Sequence, residues 1–243
     1  GDTAQAYISL TGGAVDETTD LFDSWCFHLP FDQTGRCERV DWDEETRTVT
    51  FLCTVQTMDR SPIPAGGKMT FSVKQLLTGK EALEDAAVNL DLSAFAAEAE
   101  IVGPEQAGHS RFQTGGSSDM EPVDPVPMLQ TGPALVEPAP GLTITAAGYA
   151  DGLFHVQLCR GDATRLDNHG WLWLEAEDGT RLEPLGSVSF AVFDQGERTD
   201  YSQFVFDASP EELAGYALYG DFYTASALIE GRWQVTFPLE DEP

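Results

Sequence analysis

Short runs rich in Val, Ile, Thr and Phe recur along this chain, separated by turn-forming residues at intervals too close for long helices. In the first half they fall at 4–10, 25–29, 48–58 and 68–77. In the second half they fall at 142–147, 153–159, 170–176, 187–193, 204–207, 217–218, 225–230 and 232–238. The run at 48–58 alternates: Val49, Phe51, Cys53 and Val55 share one face, and Thr48, Thr50, Thr54 and Gln56 share the other. Successive strand side chains point to opposite sides of a sheet, so this pattern predicts a strand with one buried face. Asp32-Gln33-Thr34-Gly35, Asp43-Glu44-Glu45, Pro64-Ala65-Gly66-Gly67, Glu177-Asp178-Gly179-Thr180 and Asp194-Gln195-Gly196-Glu197 supply turn chemistry between the runs. Many short strands joined in this way predict an all-β protein built of antiparallel, immunoglobulin-like β-sandwiches. Helix is expected at or below about 15%, against a globular norm of about 30–35%. One short helix is expected within 81–100, which is rich in Ala and Glu. The other opens at Ser209-Pro210-Glu211-Glu212, where Ser209 caps, Pro210 takes the first helical position and Glu212 completes a capping box.

Residues 104–141 hold seven of the fourteen prolines and five glycines. Proline at that density favours extended, polyproline-like chain and forbids regular helix. The stretch is therefore expected to link two sandwich domains, 1–103 and 142–243. Its Val126-Pro127-Met128-Leu129 patch is apolar enough to dock on a neighbouring domain.

With 13 Lys and Arg against 41 Asp and Glu, the formal net charge is −28. Such a surface repels phosphate, which excludes nucleic acid and anionic membrane surfaces as partners. An apolar fraction of 42% with 10% aromatic residues is too high for a disordered acidic chain. No apolar run approaches the roughly 20 residues of a membrane span. The chain opens on Gly1-Asp2, so it is expected to be a fragment whose leading segment is missing. The cysteines Cys26, Cys37, Cys53 and Cys159 form no C-x-x-C pair, against a zinc ribbon or a redox motif. Cys26 and Cys53 lie in strand-like runs and can pair in an oxidising compartment. Free buried thiols are the equal alternative.

Few residues offer chemistry. His28, His109, His155 and His169 are scattered, and His155 and Cys159, four apart on a strand, stand about 13 Å apart and share no ion. Gly108-His109-Ser110-Arg111-Phe112 begins like a nucleophile elbow but lacks the second glycine and the flanking strand and helix. Asp41-Trp42-Asp43-Glu44-Glu45 resembles a calcium-loop fragment without its glycine, and a hairpin turn accounts for it. No cofactor, metal site or catalytic residue is expected. Trp171 and Trp173 are the candidate ligand-binding residues. Two positions apart on a strand, they share a face and can form a platform for sugar rings, whereas burial within a doubly covered sheet is the plainer account.

Three blocks in the second half carry a resemblance: Gly148-Tyr149-Ala150-Asp151-Gly152-Leu153-Phe154-His155-Val156-Gln157, then Tyr201-Ser202-Gln203-Phe204-Val205-Phe206-Asp207, and the ending Ile229-Glu230-Gly231-Arg232-Trp233-Gln234-Val235-Thr236-Phe237-Pro238-Leu239. They resemble the extracytoplasmic region of a domain-of-unknown-function family found in anti-sigma-factor-like, membrane-anchored proteins of Gram-positive gut bacteria. Gly66-Gly67-Lys68-Met69-Thr70-Phe71-Ser72-Val73 and Asp91-Leu92-Ser93 extend it loosely into the first half. The resemblance implies a non-enzymatic ectodomain, anchored through a preceding helix outside this sequence, that senses or interacts with a protein or cell-envelope component. A carbohydrate-binding module is the alternative. In physical terms Asp151-Gly152 reads as a hairpin turn, and Trp233, Val235 and Phe237 as the inward face of a last strand.

Overall fold

Alternation builds the first sheet as expected. In the computed structural model, which describes residues 1–22, 24–64, 66–102, 111–113 and 126–239, strand Thr48–Thr57 lies antiparallel between strands Thr3–Thr11 and Gln33–Asp43. Val49, Phe51, Cys53 and Val55 are buried. On the opposite face hydroxyls pair across strands, Ser9 with Thr50 at 3.0 Å and Thr11 with Thr48 at 2.9 Å. A second sheet centred on strand Lys68–Thr78 pairs with Ala227–Pro238, Asp20–Leu21 and Cys26–His28. Its Met69, Phe71 and Val73 join the same core, in which Phe27 and Phe71 stack at a tilt 5.4 Å apart. Each large side chain sealed this way contributes roughly 1.5–3 kcal/mol. Of the described residues about 61% are strand and 6% helix, which makes this an all-β protein.

The second unit is larger. Strands Val136–Ala139, Leu142–Ala150, Leu153–Arg160, Glu197–Phe206, Gly186–Asp194 and Arg111–Gln113 make a six-stranded sheet in that order. Arg181–Leu182, His169–Ala176, Tyr216–Thr224 and Glu81–Val88 make a four-stranded one. Phe154, Val156, Leu158, Phe204 and Phe206 of the first share a core with Leu172, Leu174, Leu218 and Phe222 of the second. Two of the expected hairpin turns use the residues expected of them, whereas Gln33, Thr34 and Gly35 of the turn expected at 32–35 lie within strand Gln33–Asp43 of the first unit, paired in register with Thr57, Gln56 and Val55. Asp151 and Gly152 sit at φ 51° and 76°, and Gln195 and Gly196 at 49° and 90°, the doubly positive pair of a type I′ hairpin turn. Helix Pro210–Leu213 carries the expected capping box on Ser209 and Glu212.

Three expectations are corrected. The chain divides into Gly1–Glu81 with Ala225–Pro243, and Ala82–Thr224, not into 1–103 and 142–243. The cause is long-range pairing: the last strand zips onto Lys68–Thr78 of the first unit, and hydrogen bonding across a sheet outweighs proximity in sequence. Within the proline-rich stretch, Met128–Leu129 and Val136–Ala139 are strands of the second unit, so it is not simply a linker; 103–110 and 114–125 lie outside the described residues. Second, residues 81–100 form strand Glu81–Val88 and a single 3₁₀ turn, Leu92–Phe95, capped by Asp91. Helix propensity is a weak prior, and a free edge beside Tyr216–Thr224 overrides it. Third, Phe237 packs on the core, but Trp233 and Val235 are 37% and 45% exposed. Their strand is the edge of its sheet, paired on one side only and with a register shift between Glu230 and Trp233, and an edge position leaves side chains more open to water than a central one.

Candidate functional site

The central strand Leu153–Arg160 is buried on both sides, although it carries His155 and Gln157 on its second face. That face is covered by the short strand Met128–Leu129, itself paired with Ile101–Val102. The docking of the Val-Pro-Met-Leu patch thus occurs, and through polar groups. Gln203 accepts from the Leu129 N–H at 2.9 Å and Gln157 donates to the Leu129 carbonyl at 3.0 Å. Gln203 Nε2 also donates to the Pro127 carbonyl at 2.7 Å and to His155 Nδ1 at 2.9 Å. Thr145 donates to Gln157 at 2.8 Å, and His155 Nε2 donates to the Ala150 carbonyl at 3.2 Å. Two side-chain amides thereby read one residue's backbone as a neighbouring strand would. Burial, opposed by the Ala150 carbonyl, holds the His155 pKa below its ordinary value. Both ring nitrogens of His155 are engaged in this network.

Beside this cover opens a cleft of about 750 Å³. Val102, Met128, Leu129, Phe190 and Val192 give it apolar walls, and Arg160, Arg198 and Asp200 give it charge. Arg160 and Asp200 are directly opposed across strands, yet the Asp200 carboxylate is taken by Arg198. Nε of Arg198 reaches both carboxylate oxygens at 3.1 Å and Nη2 reaches Oδ1 at 2.6 Å. That carboxylate pushes the Arg198 pKa further up. Arg160 is left with a buried Nε–H that meets no acceptor among the described residues. A buried unpaired guanidinium N–H costs free energy until an acceptor arrives, and its planar fork matches a carboxylate.

The two tryptophans part company. Trp173 is 1% exposed, with Tyr219 stacked at 6.3 Å and the Arg181 guanidinium 4.4 Å from its ring centre. Trp171 is 39% exposed, packs edge-on against Phe204 and donates to Glu183 at 3.2 Å. Only one indole is open, so the pair presents no shared flat surface. Leu172 and Leu174 fill the core from the other face, as their alternation implies.

The remaining candidates resolve locally. Asp43 accepts the Thr46 N–H at 3.0 Å within the hairpin turn, and that bond lowers its pKa. Cys53 does not face Cys26: its partner across the sheet is Cys37, and Cys26 is exposed on another strand. His109 and most of its elbow-like sequence lie outside the described residues. Among the described residues no group of three or more His, Cys, Asp and Glu is placed to hold a metal ion, and no helix is long and apolar enough to cross a membrane. Sequence reasoning passed over Arg160, Gln157 and Gln203 as site residues. The available signal was polar residues inside otherwise apolar strands, Leu-Phe-His-Val-Gln-Leu-Cys-Arg and Tyr-Ser-Gln-Phe-Val-Phe. In comparison with known proteins, no family model, no curated protein and no solved structure matches this chain.

Proposed function

We propose that this chain is a non-enzymatic recognition ectodomain, the extracytoplasmic part of a membrane-anchored, anti-sigma-factor-like protein, and that its cleft receives an apolar ligand bearing a carboxylate from the cell envelope. The observation that carries the ligand class is Arg160, which lines a cleft walled by Met128, Leu129 and Phe190 and whose buried Nε–H meets no acceptor among the described residues. The cleft offers pairing and contact chemistry: Asp200 is committed to Arg198, and the Ser189 hydroxyl lies 3.3 Å from that of Ser202. The overall charge of −28 opposes an anion at long range, so affinity rests on short-range pairing with Arg160. The ectodomain assignment rests on the three sequence blocks described above. A carbohydrate module is disfavoured because Trp173 is enclosed by Tyr219 and Arg181.

Octanoate and 1-octanol test the cleft, followed by the NMR signals of the Met128 methyl and the Arg160 Nε–H. Octanoate is expected to saturate both signals and to bind at least about tenfold tighter than octanol, a difference of about 1.4 kcal/mol. Arg160→Gln removes that preference. Equal binding of the two probes refutes the carboxylate, and saturation by neither refutes the cleft as a binding site. Protease treatment of intact cells expressing the full-length protein tests its placement: digestion of this region from outside is the expected outcome.

A further inference from the structure

The sulfurs of Cys37 and Cys53 lie 2.7 Å apart. Their α-carbons are directly opposed in the antiparallel pairing of strands Gln33–Asp43 and Thr48–Thr57, so both side chains leave the sheet on the same side. Opposed residues in such a pair have α-carbons about 4.5–5.5 Å apart, inside the range of about 4.4–6.8 Å that a disulfide spans. A disulfide needs sulfurs about 2.05 Å apart, so small side-chain adjustments suffice and the backbone need not move.

We propose that Cys37 and Cys53 close to a cross-strand disulfide by exchange with a disulfide-bearing oxidant, either glutathione disulfide or a dithiol–disulfide oxidoreductase. Cys37 is half-buried whereas Cys53 is buried, so an external disulfide reaches Cys37 first. The Cys37 thiolate attacks one oxidant sulfur, the oxidant's S–S bond breaks, and one thiolate departs and takes up a proton. The Cys53 thiolate then attacks Cys37 in the mixed disulfide and displaces the second thiolate, which is protonated in turn. Two cysteine thiols become one disulfide, and one oxidant disulfide becomes two thiols. The contact with Cys53, reinforced by burial, pushes the Cys37 thiol well above its ordinary range, so the uncatalysed first step is slow. Cys26 pairs in register with Ser72, and Cys159 belongs to the second unit; both remain thiols. The bridge is independent of what the cleft binds.

The test is differential alkylation. Protein incubated to completion with glutathione disulfide and a catalytic amount of a dithiol–disulfide oxidoreductase is denatured without reductant, alkylated with iodoacetamide, digested and read by mass spectrometry. The expected product is a peptide pair cross-linked through Cys37 and Cys53, with Cys26 and Cys159 alkylated. Alkylation of all four cysteines, or a cross-link through Cys26 or Cys159 instead, overturns the proposal. The bridge closes a loop of 15 intervening residues, for which reduction should lower the first unit's unfolding temperature by roughly 10 °C or more. Cys37→Ser leaves the buried Cys53 in place and should melt like the reduced protein whether or not reductant is present. Wild type and Cys37→Ser melting together under oxidising conditions also overturns it.

Discussion

Strands Thr48–Thr57 and Leu153–Arg160 occupy equivalent places, each inside its sheet, and both alternate apolar with polar residues. In the first, alternation and burial coincide: every second residue is buried, and the threonines between them are only partly covered. In the second, Phe154, Val156 and Leu158 face the core, and His155 and Gln157 on the other side are buried as well. The same pattern has two physical outcomes. A polar face can be satisfied by water, or by a covering segment whose backbone it hydrogen-bonds. Gln157 and Gln203 take the second course, with the Leu129 backbone in the place of solvent.

The largest expected effect probes the face that the strands have in common. Phe51→Ala empties a fully buried site and should cost about 3–5 kcal/mol, read from the first unit's chemical unfolding. Thr50→Ala, on the opposite face of the same strand, loses one exposed hydroxyl pair with Ser9 and should cost about 0.2–1 kcal/mol. A Thr50→Ala cost close to that of Phe51→Ala would show that this strand, too, is covered on both sides.

The intermediate effect separates the two strands. Gln203→Ala strips partners from the Leu129 N–H, the Pro127 carbonyl and His155 Nδ1 at once. Leaving a buried group unsatisfied costs about 1–3 kcal/mol, so this polar residue should matter several times more than Thr50. Amide exchange at Leu129 should accelerate with it. A Gln203→Ala variant no less stable than Thr50→Ala would mean that the amide cover is weak and the two strands are alike.

What was legible in the sequence follows the same division. Val49, Phe51, Cys53 and Val55 announce their burial because nothing competes with alternation there. Asp151-Gly152 announces its turn because few residue pairs accept two positive φ angles. Gly148, in the block that carries the family resemblance, has φ 151°, and a Cβ there would meet that of Ala99 at 2.7 Å; Tyr149 donates to the Ala208 carbonyl at 2.8 Å. Close packing and one buried hydrogen bond account for those two residues of the block. The covered face of Leu153–Arg160 was not legible, because its cover arrives from a proline-rich stretch some thirty residues upstream whose local sequence says only that it is extended. Arg160 was hidden for a related reason. Asp200, directly opposed to it across strands, is taken by Arg198, a pairing that no local pattern records. The last strand misled in the opposite way: Trp233, Val235 and Phe237 alternate like an inward face, but an edge position leaves the first two exposed.

The smallest expected effect concerns the imidazole inside the covered face. His155 is held neutral, donating from Nε2 to Ala150 and accepting at Nδ1 from Gln203, and burial lowers its pKa despite Ala150 and the nearby Asp151 charge. The unfolded chain therefore binds a proton near pH 6.5 that the folded chain refuses until lower pH. Stability is complete above about pH 6.5 and falls on acidification, by at most about 1.4 kcal/mol per pH unit, until the folded ring also protonates. His155→Gln cannot titrate there, so the wild-type second unit should lose stability faster than this variant between about pH 6.5 and 5.5. Equal slopes would mean that the ring is solvated in the folded state, as it would be on an uncovered strand. The strand Thr48–Thr57 contains no histidine, and the first unit's stability should show no matching difference between wild type and the variant over the same interval. A pH response confined to the second unit follows only if the polar face of Leu153–Arg160 is sealed from water by the segment that Gln157 and Gln203 hold.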